Sequence, residues 1–79
     1  MKILNEINDS PIKHVTLFLT PDEAKSLIKQ VGDLLAKPKL HHVHIEDEGF
    51  EREITVVVYT PSNISTFDER SRKLIEKDE

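Results

Sequence analysis

The feature that most constrains this chain is a change of hydrophobic period. From Thr20 to Leu35 apolar residues recur three and four apart, whereas in His41–Asp47 and Arg52–Val58 one face is apolar at every second residue, Val43 and Ile45, then Ile54, Val56 and Val58. A helix must therefore be followed by strands. The helix is announced by Thr20-Pro21-Asp22-Glu23. Threonine accepts a hydrogen bond from the amide three residues on, and Glu23 reaches back to complete a capping box. Proline at the first helical position has no N–H to leave unpaired. Asp22 and Glu23 also suit the positive end of the helix dipole. The stripe Ala24, Leu27, Ile28, Val31, Leu34 and Leu35 forms one apolar side, and Pro38 predicts an end near Lys37.

Alternation predicts the strands. Lys13–Leu19 reads as a strand with Val15, Leu17 and Leu19 on one face. His41–Asp47 places Val43 and Ile45 on one side, with His42, His44 and Glu46 on the other. Glu48-Gly49-Phe50-Glu51 reads as a hairpin turn, with Gly49 at the first central position of type II′. The return strand, Arg52–Tyr59, then pairs Ile45 with Ile54 and Val43 with Val56, although a slip of two residues would keep the same faces inward. Pro61-Ser62-Asn63 ends it, and a second helix runs from about Ser65 to Lys77. Its apolar side is Ile64, Phe67, Leu74 and Ile75, and Thr66 with Glu69 offers a second capping box. Its basic residues Arg70, Arg72, Lys73 and Lys77 read as a solvated face. Ile3–Ile7 is open between strand and short helix; the turn-rich Asn8-Asp9-Ser10-Pro11 behind it favours a hairpin with the next strand.

The order is (β)βαββα. It predicts an α+β two-layer sandwich, an antiparallel sheet of three to four strands with two helices on one face, close to a ferredoxin-like half. With 79 residues the expectation is a single domain, 1–79. Below about 80 residues one core seldom supplies more than ~3–5 kcal/mol, so support from a second copy is expected.

Composition removes several classes of function. There is no cysteine, hence no disulfide framework, thiolate metal site or thiol nucleophile. The formal net charge of −4 argues against nucleic acid, which attracts a basic face. The longest apolar run, Val56–Tyr59, falls far short of the ~20 residues that span a membrane. With no signal-like N-terminal run, a cytoplasmic protein that does not engage membranes is expected. The serines lie in no nucleophile-elbow pattern and the two glycines form no phosphate loop. The reading is of a protein without catalysis and without a cofactor.

With both helices on one face of the sheet, the other face would carry His14, Thr16, Phe18, His42, His44, Glu46, Glu53, Thr55, Val57 and Tyr59. Phe18, Val57 and Tyr59, with His14 beside them, would make an apolar patch suited to a twofold homodimer. His42 and His44, two apart on a strand and so roughly 6.6 Å apart along it, are the candidate metal ligands. Imidazole suits zinc, copper or nickel, and a third ligand would come from Glu53 or Thr55 on the neighbouring strand, or from another subunit. Glu46, Asp47, Glu48, Glu51 and Glu53 make the hairpin acidic, a surface for a basic protein partner.

In His41–Ile45, Arg52–Val56 and Phe67–Ile75 the chain resembles a group of small bacterial α+β proteins to which no activity is assigned. That resemblance transfers no site residue. The build and acidity are also similar to those of immunity proteins that neutralise polymorphic toxins, which implies a bacterial, cytoplasmic interaction protein.

Overall fold

The computed structural model describes residues 1–78. The protein is α+β, with two α-helices and two antiparallel two-strand sheets among the described residues. By packing it divides into two compact units, one spanning Phe18–Val58 and the other joining Met1–Leu17 to the chain from Tyr59 onward.

In the Phe18–Val58 unit, helix α1 (Pro21–Ala36) begins and ends where its signals place it. Thr20 Oγ1 accepts from the Glu23 amide at 3.1 Å, and Glu23 Oε1 accepts from the Thr20 amide at 2.8 Å. Lys37 closes the helix, and Pro38–Leu40 follow as a single 3-10 turn. Strands β1 (Ile3–Asn5) and β2 (Ser10–Ile12) belong to the other unit, so the strands here are β3 (His42–Glu46) and β4 (Glu53–Val57). Their register is Val43 opposite Val56 and Ile45 opposite Ile54, the expected pairing rather than the two-residue slip that the alternation equally allows. Strand β3 starts one residue later than its alternation suggests, because His41 takes a positive φ of 71° and leaves the extended region.

Leu34, Val43 and Ile45 form the core of this unit, and Leu27, Ile54, Val56 and Val58 pack against it. Ile28 and Leu35, which the sequence places on the same apolar stripe, are exposed. Sheet width supplies the reason. A sheet of two strands offers α1 only the inward side chains Val43, Ile45, Ile54, Val56 and Val58, so it covers a seam rather than a broad stripe. The covered seam is Ala24, Leu27, Val31 and Leu34, and the flanking positions 28 and 35 fall outside it.

The expected three- to four-strand sheet is absent: β4 pairs only with β3 among the described residues. The segment Lys13–Leu19 forms no strand, and Val15, Leu17 and Phe18 are exposed. Alternation shows that a segment could lie on a sheet, but it supplies no partner for the ladder of hydrogen bonds.

The hairpin turn also differs from expectation. The last closing pair is Asp47 and Arg52, with the Asp47 amide donating to the Arg52 carbonyl at 3.0 Å. Asp47 Oδ1 then accepts from the amides of Glu51 and Arg52, at 2.8 and 3.1 Å. This carboxylate organises a four-residue loop, in which Phe50 rather than Gly49 takes the left-handed conformation, with φ 55°. A type II′ turn on Gly49 is therefore not formed.

In the other unit, Ile3–Asn5 (β1) and Ser10–Ile12 (β2) pair as a short hairpin. The opening segment is thus a strand, and its partner is the stretch beginning at Ser10 rather than Lys13–Leu19. Asn5 and Asn8 carboxamides accept from the amides of Ile7 and Ser10 and shape the turn, with Asp9 left-handed at φ 57°. Helix α2 (Glu69–Lys77) is shorter than its sequence pattern, and Asp68 caps it in place of Thr66. Asp68 Oδ1 accepts from the Ser71 amide at 2.8 Å, while the Thr66 hydroxyl donates to the Asn63 carbonyl within a preceding 3-10 turn, Ile64–Thr66. Aspartate outranks threonine as a cap, so the later candidate wins. Leu74 is the buried residue of α2. Arg70 joins Glu6 and Asp9 at 3.2 and 3.0 Å, and Lys2 meets Asp78 at 3.4 Å. One member of the supposed solvated basic face is therefore an anchor to the β1–β2 turn.

Candidate functional site

The site with the most chemistry on it is the outer face of the β3–β4 hairpin. Strand pleat sends successive side chains to opposite sides, so burying Val43 and Ile45 forces His42, His44 and Glu46 outward. On β4 the same rule presents Glu53, Thr55 and Val57, each opposite one of the first three: Glu46 with Glu53, His44 with Thr55, His42 with Val57. Six outward residues thus form a face of two imidazoles, two carboxylates, a hydroxyl and a valine.

The histidines differ in how they are held. His44 Nδ1 lies 3.0 Å from Thr55 Oγ1 and 3.1 Å from Glu53 Oε1. An ionised carboxylate only accepts, so Nδ1 carries the hydrogen that faces Glu53. In the neutral ring the lone pair then sits on Nε2. His42 meets His44 edge to face, with ring centroids 4.8 Å apart and planes at 77°. Both neighbours proposed for a third ligand, Glu53 and Thr55, do stand beside His44. Even so, among the described residues no group of three or more His, Cys, Asp or Glu side chains is gathered to hold a metal ion.

Beside this face the hairpin tip is tied to the start of α1. Glu23 Oε2 accepts from the Glu48 amide at 3.0 Å, and the Thr20 hydroxyl donates to Glu48 Oε1 at 3.1 Å. The Glu23 carboxyl sits below the usual glutamate range, chiefly through the hydrogen bond from the Thr20 amide and next through that from the Glu48 amide. Asp47 is lowered for a similar reason, first by the Arg52 amide and then by that of Glu51. Arg52 extends toward Asp47 and Glu51, at 3.6 and 3.5 Å, and so turns to the tip rather than to the histidine face. The acidic hairpin is accordingly part of the scaffold as well as a charged surface. Nothing in the sequence pattern links Glu23 to Glu48, because the capping box already accounts for Glu23.

The proposed interface residues are not brought together on one sheet. Val57 closes β4 opposite His42 and is 45 % exposed. Phe18, at 93 % exposure, precedes the α1 cap in irregular chain. His14 and Tyr59 belong to the other unit and are both exposed. The grouping of His14 and Phe18 with the hairpin rested on a strand at Lys13–Leu19, which does not form.

No protein-family model matches the chain, and no curated protein and no solved structure matches it. Among the described residues no helix is long and apolar enough to cross a membrane.

Proposed function

We propose that the protein is a small cytoplasmic interaction module that works without catalysis and associates with a second copy of itself. The observation that carries this reading is how little of its apolar surface it buries alone. Four apolar residues are buried among the described residues, against eleven large ones that are exposed. Scattered exposed apolar groups are ordinary. Here, however, they include Phe18 and the two α1 residues Ile28 and Leu35, which lie two turns apart along one flank of the helix. Burying one such side chain contributes roughly 1.5–3 kcal/mol, comparable with the ~3–5 kcal/mol a core of this size supplies. A twofold dimer that shields exposed residues of one unit, Phe18 and Val57 in the first or Tyr59 and His14 in the other, would supplement the small core at little cost in chain length. The open edges of the β3–β4 hairpin offer the complementary route, in which two hairpins join into one four-strand sheet.

Sedimentation equilibrium of the full chain tests the reading. A dimer is expected at high micromolar concentration, with Phe18→Glu and Tyr59→Glu each shifting the population toward monomer. A protein that stays monomeric at that concentration overturns it.

A further inference from the structure

The outer face of β3–β4 combines features that a solvated strand surface does not require. Two imidazoles sit side by side on one strand, exposed, with their rings in contact. One of them, His44, presents Nδ1 to the Glu53 carboxylate, so that in the neutral ring the lone pair sits on Nε2. This arrangement, carboxylate to imidazole N–H, is how metal-bound histidines are usually oriented. The His42 side chain makes no hydrogen bond or ion pair among the described residues; its contact is with the His44 ring, which sets the two imidazoles side by side.

The charges of the face point the same way. Glu46 and Glu53 stand directly opposite each other, a like-charge pair that is unfavourable across a strand pair. None of the six outward residues is a lysine or arginine, and Arg52 next door is turned to Asp47 and Glu51. A cation held at the histidines would relieve that repulsion.

We infer that His42 and His44 form a two-nitrogen site for a late first-row divalent ion, with Glu53 as the positioning residue behind His44. Imidazole pairs favour Zn²⁺, Ni²⁺ and Cu²⁺ over the oxygen-seeking Mg²⁺ and Ca²⁺. The chain supplies two ligands, and water completes the coordination.

The test is titration of the full chain with ZnCl₂, and separately with MgCl₂, followed by histidine ring NMR signals. Zinc should shift the His42 and His44 signals saturably and leave His14 in place, while magnesium should shift neither. His44→Ala should abolish the saturable response with the circular dichroism spectrum unchanged, since the side chain is exposed. Glu53→Gln should weaken zinc binding about 10-fold or more while keeping saturation, the size usual for a group that orients a ligating histidine. His14→Ala should leave it unaltered. Shifts that grow linearly without saturation, a response that survives His44→Ala, or an affinity unmoved by Glu53→Gln would each overturn the assignment.

Discussion

Leu34 and Leu35 are neighbours on α1 and equivalent on the apolar stripe of the sequence, yet the structure predicts opposite fates on truncation. Leu34 is 3 % exposed and packs with Val43 and Ile45, whereas Leu35 is 65 % exposed. Leu34→Ala removes buried methyl groups and leaves a cavity, costing about 2–5 kcal/mol. For Leu35 only about a third of the side chain is out of water, so the loss is about a third of the ~1.5–3 kcal/mol of full burial, or ~0.5–1 kcal/mol. Alanine's better helix propensity offsets a few tenths of that. Against a total of ~3–5 kcal/mol the first substitution brings the protein to the edge of unfolding, and the second is tolerated. Urea unfolding at low micromolar protein, followed by circular dichroism at the helix band, measures both. With a slope of about 1 kcal/mol per molar urea, Leu34→Ala should lower the midpoint by at least ~2 M and Leu35→Ala by less than ~1 M. Equal shifts, or a larger one for Leu35→Ala, would refute the assignment of the core to one seam of α1. A Leu35→Ala effect that grows with protein concentration would instead place this residue in the dimer contact.

Three further outcomes follow from the caps, the turn and the carboxylates. Asp68→Ala should cost about 0.5–2 kcal/mol of stability, and Thr66→Ala distinctly less, because the first removes the acceptor for the α2 amide and the second only a turn contact. Reversal of that order in urea midpoints would move the cap back to Thr66. Phe50→Gly should raise stability by roughly 0.5–1 kcal/mol, since an exposed phenylalanine holds a left-handed conformation that glycine adopts freely; a drop in the melting midpoint would show the ring to be packed. Glu23, Asp33, Asp47 and Asp68 are all held below the usual carboxylate range, Asp33 through Lys29 and Asp68 through the Ser71 amide. A lowered folded-state pKa means stability that is present above the unfolded value and lost as pH falls through the folded one. Thermal melts should therefore hold between about pH 6 and 7 and decline progressively below about pH 4, and Asp47→Asn should flatten part of that decline; midpoints that stay level into acid would contradict it.

The sequence by itself determined whatever depends on neighbours within a turn or a pleat. The α1 cap, its end before Pro38, and the inward set Val43, Ile45, Ile54 and Val56 are local consequences of period and of single capping groups, and the position of the turn selects one register among those that this parity allows. The outward histidines with Glu53 and Thr55 around His44 were legible for the same reason, because register and parity together place them.

Tertiary structure alone decided the rest. Whether Lys13–Leu19 finds a ladder partner, and hence how wide a sheet lies under α1, depends on distant chain that alternation does not encode. Sheet width in turn decided that Leu34 is core and Leu35 is surface. Arg70 found Glu6 and Asp9 more than sixty residues away, whereas the Asp68 cap and the Asp47 loop are local hydrogen bonds that win over the rival candidates Thr66 and Gly49. Local periodicity decides which face of each element is apolar; only the assembled chain decides how much of that face is covered.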